Sequence, residues 1–194
     1  DNPFVDPVCG SGTIPIEAAL YGHNIAPGIN RSFISEQWVN LVPDGLSDEV
    51  RDEADALANY DIELDIHGYD IDQNMIDIAQ ENSRAAGLTH DITFKQLAVK
   101  DWQTSKVNGV IVANPPYGER LSDKESVHEL YRQMGELYRP LTTWSKYILT
   151  ADMESEKHYG TPATKPRKLY NGALRTDHYQ YWGKKDRSKI KTLK

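Results

Sequence analysis

One stretch restricts the fold of this chain more than any other. It is the apolar run Val110-Ile111-Val112-Ala113, followed at once by Asn114-Pro115-Pro116-Tyr117-Gly118. The run predicts a buried strand. Two prolines then end it, because a proline restricts the residue before it and neither ring has an N–H to donate. The result is a stiff, extended turn with bare carbonyls at a strand end, where open α/β sheets bind ligands. Asn114 offers a short amide acceptor there and Tyr117 a flat aromatic face. Such a turn suits a planar molecule that carries an NH2 group. The Asn114 side-chain oxygen and the Pro115 carbonyl accept its two N–H groups, and Tyr117 stacks on its ring.

The rest of the chain alternates strand and helix patterns, which implies one α/β domain with a mostly parallel sheet covered on both faces. Phe4-Val5 is a short strand leading into Asp6-Pro7-Val8-Cys9-Gly10-Ser11-Gly12-Thr13 and a helix over residues 14–20. A dinucleotide fingerprint would place a third glycine at position 15, where Pro15 stands, and the Gly-Lys-Ser/Thr of a P-loop is absent. Residues 47–59 predict an amphipathic helix capped by Ser47, with Val50, Ala54, Leu57 and Ala58 as its stripe. Residues 64–72 read as a strand ending in Asp70 and Asp72. Asp72 caps a helix whose apolar face holds Met75, Ile76, Ala79, Ser83 and Ala86, and Gly87 ends it. Residues 92–99 form a third strand. Ser122-x-x-Glu125 is a capping box before a helix with Val127, Leu130, Tyr131, Met134, Leu137 and Tyr138 on its core face. Residues 147–150 are a fifth strand, and residues 167–170 and 178–182 flank the turn Asn171-Gly172 as an antiparallel pair.

Composition narrows the partners. Of 194 residues, 39% are hydrophobic and 26% charged, as in a soluble globular domain. No run approaches a membrane span of about 20 residues. A lone cysteine, Cys9, forms no internal disulfide, which favours the cytoplasm. The six histidines show no metal-ligand spacing, so no metal site is expected. Residues 184–194 hold six Lys/Arg and one Asp and lack apolar periodicity, so a mobile basic tail is expected after a domain at 1–183. The remainder has 16 basic and 28 acidic residues, net −12. Phosphate contacts supply most nucleic-acid affinity, so this acidic body is a poor gripper of a polyanion by itself.

Asn-Pro-Pro-Tyr resembles the catalytic motif of S-adenosylmethionine-dependent amino-methyltransferases, which act on exocyclic amines of bases or on the glutamine amide. Asp-Pro-x-Cys-Gly-Ser-Gly-Thr resembles the cofactor loop of class I methyltransferases. That resemblance implies a Rossmann-like fold with a seven-stranded sheet and a C-terminal antiparallel pair. It assigns Asn114, Pro115, Pro116 and Tyr117 to catalysis. It assigns Asp6, Cys9, Gly10, Ser11, Gly12, Thr13, Asp70, Ile71, Ala98 and Asn114 to S-adenosyl-L-methionine. Gly10 and Gly12 would let the backbone approach the methionine part, Asp6 would take its ammonium, and Asp70 the ribose hydroxyls. Many relatives carry an acid after the third strand; here Leu97-Ala98-Val99 stands there, with Asp101 only later.

The resemblance narrows when Pro27-Gly28-Ile29-Asn30-Arg31-Ser32-Phe33, Gly68-Tyr69-Asp70-Ile71-Asp72 and Gly118-Glu119-Arg120 are added. Together these look like the catalytic half of a bacterial 23S rRNA guanine-N2 methyltransferase family, often labelled as N6-adenine DNA methylases. Members carry an RNA-binding THUMP domain ahead of the catalytic domain, and the abrupt start at Phe4 leads us to expect that domain upstream of this chain. The substrate implied is RNA, with an unpaired or flipped-out guanine. Adenine N6 in DNA or RNA presents the same planar NH2, and glutamine N5 of a protein uses the same turn.

Overall fold

The computed structural model describes residues 2–38, 40–117 and 121–184. In chain order these form β1 (Phe4–Asp6), α1 (Thr13–Gly22), α2 (Leu46–Ala56), β2 (Ile66–Asp70), α3 (Gln73–Ala85) and β3 (Ile92–Gln96). There follow β4 (Val110–Ala113), α4 (Leu121–Tyr138), β5 (Ser145–Thr150), α5 (Ser155–Tyr159), β6 (Lys165–Asn171) and β7 (Leu174–Tyr181). One seven-stranded sheet runs in the order β3-β2-β1-β4-β5-β7-β6. Strands β1 to β5 are parallel, and β7 lies antiparallel to both β5 and β6. The chain winds outward from β1 to β3, then returns to place β4 on the other side of β1. That reversal opens a crevice beyond the carboxyl ends of β1 and β4, where such sheets bind ligands. Asp6 ends β1, and Asn114 follows β4 immediately.

Each face of the sheet is covered for a reason legible in the side chains. On one face, α4 presents Val127, Tyr131, Met134 and Tyr138, each at most 4% exposed, to Ile111, Ile148, Trp102 and Trp144. The Trp102 and Tyr138 rings meet edge to face at 5.8 Å, a favoured aromatic arrangement. On the other face, Ile16 and Ala19 of α1 pack with Ile66, Leu88 and Ile92. Helices α4 and α5 touch so closely at Gly135 that an added Cβ would overlap the Tyr159 carbonyl oxygen. Asp72 caps α3 as expected, its carboxylate accepting the Asn74 N–H at 2.9 Å. Gly172, at φ +61°, makes the turn between β6 and β7.

Several boundaries depart from expectation. Helix α2 starts at Leu46, with Gly45 at φ +82° as its cap, and Ser47 lies inside the first turn. Its stripe is not covered, since Val50 and Leu57 are 55% and 69% exposed. Strand β3 ends at Gln96, and Val99–Asp101 coil into a 3-10 turn instead. Helix α5 was not expected at all: five residues are too few to show a period. Helix α4 begins at Leu121, so Ser122, expected as its cap, falls inside the first turn. The Gly118-Glu119-Arg120 stretch, the tail after Lys184 and the Ser122 side chain lie outside what is described. Among the described residues no helix is long and apolar enough to cross a membrane.

Candidate active site

The loop between β1 and α1 is held in shape by one carboxylate. Asp70 Oδ2 accepts the Gly10 N–H at 2.9 Å, and Oδ1 accepts the Asp72 N–H at 2.9 Å. The Cys9 N–H reaches the Tyr69 carbonyl at 2.8 Å. On the far side of the loop, the Asn82 amide donates to the Ser11 carbonyl at 2.9 Å. Gly10 has φ +51°, and a Cβ built on it would meet nothing within 4 Å, so backbone there borders open space. That space is a cavity of 560 Å³, within the usual range for ligand sites, and Gly10, Asp70, Ile71, Ala98, Asn114 and Pro116 are on its wall.

The other residues expected to bind cofactor sit around the cavity rather than on its wall. Gly12 is required for packing: at φ +84°, its Cβ would lie 2.9 Å from the Ala79 Cβ and 3.0 Å from the Phe94 ring. Its lack of a side chain lets α1 approach α3 and β3. Cys9 is buried, and its thiol is pushed up to about 12, first by burial and then by the carboxylates of Asp6 and Asp70. It stays a neutral thiol packed beneath the loop. Thr13 opens α1 and is exposed. Asp6 is 1% exposed, and its Oδ1 accepts the Val8 N–H at 3.1 Å. Burial pushes its carboxyl up to about 7, the Val8 bond opposes the rise, and the Asp70 charge adds to it. A buried acid held this way suits a cationic ligand group, whose charge would offset the desolvation. The cradle, the buried acid and the acid ending β2 fit an adenosyl amino acid with a free ammonium.

The Asn-Pro-Pro-Tyr turn forms a partition. Pro115 is buried and Asn114 exposed. On one side, Asn114 and Pro116 face the 560 Å³ cavity. On the other, Tyr117 lines a second recess of 280 Å³, with Lys124, His128, Asp152 and Glu154. The Tyr117 hydroxyl donates to Asn114 Oδ1 at 2.8 Å, and burial raises the Tyr117 pKa while that bond lowers it. The expected acceptor for a target amine is therefore already shared. An amide oxygen has two lone pairs, so a second N–H fits without breaking the first bond.

This geometry joins a glycine cradle, two strand-end acids and the Asn-Pro-Pro-Tyr turn on one sheet edge. The chain matches the family model UPF0020, described as RMKL-like, methyltransferase domain, over residues 1–180. The chain belongs to this RMKL-like methyltransferase family. Its sheet is that of class I S-adenosylmethionine-dependent methyltransferases. It is 55% identical over 184 residues to YpsC of Bacillus subtilis strain 168, named provisionally as an RNA methyltransferase, covering 95% of this chain and 48% of that protein. It is 38% identical over 181 residues to "Ribosomal RNA large subunit methyltransferase K/L" of Shewanella amazonensis, covering 90% of this chain and 25% of that protein. The chain thus spans half or less of the length of these curated relatives. Among solved structures, SMU.472, titled provisionally as a methyltransferase, superposes with a TM-score of 0.91 at 52% identity, covering 95% of this chain and 49% of that one. That structure is complexed with SAH, the demethylated form of the cofactor expected from the sequence.

The sequence reading of this RMKL-like domain missed one cluster. The rings of His128 on α4 and His158 on α5 stack at 3.8 Å with an interplanar angle of 18°. Together with Glu154 they bring ligand-type atoms within 4.8 Å of one another, although no metal site was expected. Thirty residues of sequence separate the two histidines, so spacing carried no signal. As stacked, their in-plane lone pairs lie in near-parallel planes and do not converge on one ion. Arg132 Nη1 lies 3.3 Å from His158 Nδ1. Burial, then the His128 and Arg132 charges, hold His158 below the usual imidazole range.

Proposed function

We propose that this domain transfers a methyl group from S-adenosylmethionine to the exocyclic amine of a nucleic-acid base, namely N2 of a guanine in large-subunit rRNA. The observation that carries the reading is the placement of Asn114 between the two recesses, on the wall of the glycine-loop cavity and bonded to Tyr117 of the next. The rRNA substrate follows the name of the Shewanella relative, and the domain's partners would include the RNA-binding THUMP domain expected from the sequence.

The chain's own residues do most of the work by positioning. Gly10 lets the backbone close on the cofactor, Asp6 neutralises its ammonium, and Asp70 offers its remaining lone pairs to the ribose. When bound, the cofactor supplies an electrophilic methyl on a sulfonium. An aryl amine is a poor nucleophile because its lone pair is drawn into the ring. Asn114 Oδ1 and the Pro115 carbonyl accept its two N–H groups and pull the nitrogen toward tetrahedral geometry, with the lone pair facing the cavity. Gly10, Asp6 and Asp70 would hold the cofactor, which would supply the methyl in a direct displacement, and the proton lost from the amine would pass to water. Orientation and fixed dipoles account for the acceleration. Tyr117 stacks on a base that has left its helix. The test is transfer of labelled methyl to rRNA, DNA and protein side by side, with the nucleic acid then digested to nucleosides. Label in N2-methylguanosine is expected; label confined to N6-methyladenosine or to protein refutes the reading.

A further inference from the structure

The recess beside Tyr117 holds an acceptor that the chemistry above does not use. Asp152 follows β5 by two residues, on the same sheet edge as Asn114. Its position is fixed by two hydrogen bonds. Its N–H donates to Thr150 Oγ1 at 2.9 Å, and Thr150 is fully buried and bonded to the Tyr131 hydroxyl at 2.6 Å. Its Oδ1 accepts the Glu154 N–H at 2.9 Å, just ahead of α5. Its Oδ2 is buried and has no hydrogen-bond partner among the described residues. His128 Nε2 lies 3.1 Å away, at ion-pair distance without a hydrogen bond. A buried carboxylate oxygen without a hydrogen bond costs free energy, so a firmly held carboxylate of this kind invites a ligand donor.

We infer that Asp152 reads the edge of the target base and selects guanine over adenine. This deepens the reading above and rests on it. Once Asn114 and Pro115 hold the two N–H groups at guanine C2, the adjacent ring atom N1 still carries a hydrogen. That N1–H is a donor, and the Asp152 carboxylate, on the wall of the recess, accepts it. Adenine held by its C6 amine presents a bare N1 lone pair beside the amine, which an ionised carboxylate repels. One oxygen therefore attracts one base and rejects the other, as specificity requires. Lys124 on the rim of the recess suits the phosphate of the flipped nucleotide.

The test uses the whole protein, an in vitro transcript of large-subunit rRNA, and Asp152→Asn. The variant is close to isosteric, and its amide oxygen still accepts the Glu154 N–H. Calorimetry with the cofactor, expected to match wild type within about twofold, shows that the fold is kept. The kcat/KM for N2-methylguanosine formation is expected to fall at least about tenfold, the loss of one charge-assisted hydrogen bond. A second transcript carries 2-aminopurine at the mapped position, which keeps the C2 amine but lacks N1–H. Wild type is expected to reject it by a similar factor, and Asp152→Asn to lose most of that discrimination. Wild-type guanine methylation by Asp152→Asn, or equal use of guanine and 2-aminopurine by wild type, overturns the role of Asp152 and leaves the proposed function standing. Wild type that makes no N2-methylguanosine overturns both.

Discussion

Cofactor binding should release a proton from Asp6. The carboxyl is buried beneath the glycine loop, and burial pushes it up to about 7, where an exposed aspartate titrates near 3.8. The native state therefore holds the proton between these values and the unfolded chain does not. Any stability from this group is full below about pH 4 and is lost as pH rises through about 7. A bound ammonium reverses the balance, because it favours the ionised carboxylate. Below about pH 7 the competent, ionised fraction falls tenfold per pH unit, so affinity at pH 5 should be roughly 100-fold below its plateau, about 2.7 kcal/mol. Above about pH 8 the ammonium itself deprotonates, as α-amino groups do near 7.7–8.0, and affinity falls again. The assay is titration calorimetry with S-adenosylhomocysteine near pH 6, repeated in buffers of different ionisation enthalpy. About one proton released per site is expected there, fading by about pH 8. Asp6→Asn should abolish the release and flatten the acid limb. A flat affinity between about pH 5.5 and 7.5 in wild type, with no proton release, refutes the pairing of Asp6 with the ammonium.

Three further outcomes are expected. Asn114→Ala should remove most methyl transfer, at least about 100-fold in kcat, while cofactor affinity stays within a few-fold, since its acceptor acts on the target amine in the transition state; stopped-flow or single-turnover transfer measures this. Tyr117→Phe should retain activity within about fivefold, because the ring still stacks, whereas Tyr117→Ala should lose about 10- to 100-fold in kcat/KM, the worth of one base–aromatic stack. Gly135→Ala should lower the unfolding free energy by about 3 kcal/mol, read by urea denaturation, because the new methyl group has nowhere to go between α4 and the Tyr159 carbonyl.

Much of this fold could be read from residue order because its strands are marked twice, by apolar runs and by what stops them. Val110–Ala113 ends in two prolines and matched β4 to the residue. The α4 stripe matched because eighteen residues give the helical period time to show. Local capping was less legible. Ser47 is the better cap by residue preference, yet Gly45 in a left-handed conformation starts α2 two residues sooner. On the site, Asp70 lies on the cavity wall. Its bond to the Gly10 N–H, across sixty residues, has no sequence signature. Gly12 shows the opposite problem. Its residue type was read as room for a ligand, and the room is taken by Ala79 and Phe94. The Asp152 and His128 pair was invisible because β5 and α4 bring it together only on folding.

The partition made by residues 114–117 has a consequence for how such enzymes diverge. The cavity on one side is walled by the first half of the sheet, with α4 closing it, and the recess on the other by α4 and the segment after β5. Asn114 and Pro116 line the first, and Tyr117 lines the second. On the proposed reading, substitutions at positions such as 124, 128, 152 and 154 would retarget the acceptor while the methyl-donor half stays untouched. A lineage could then explore new acceptors by drift in two short stretches, and a laboratory library could do the same without rebuilding the donor site.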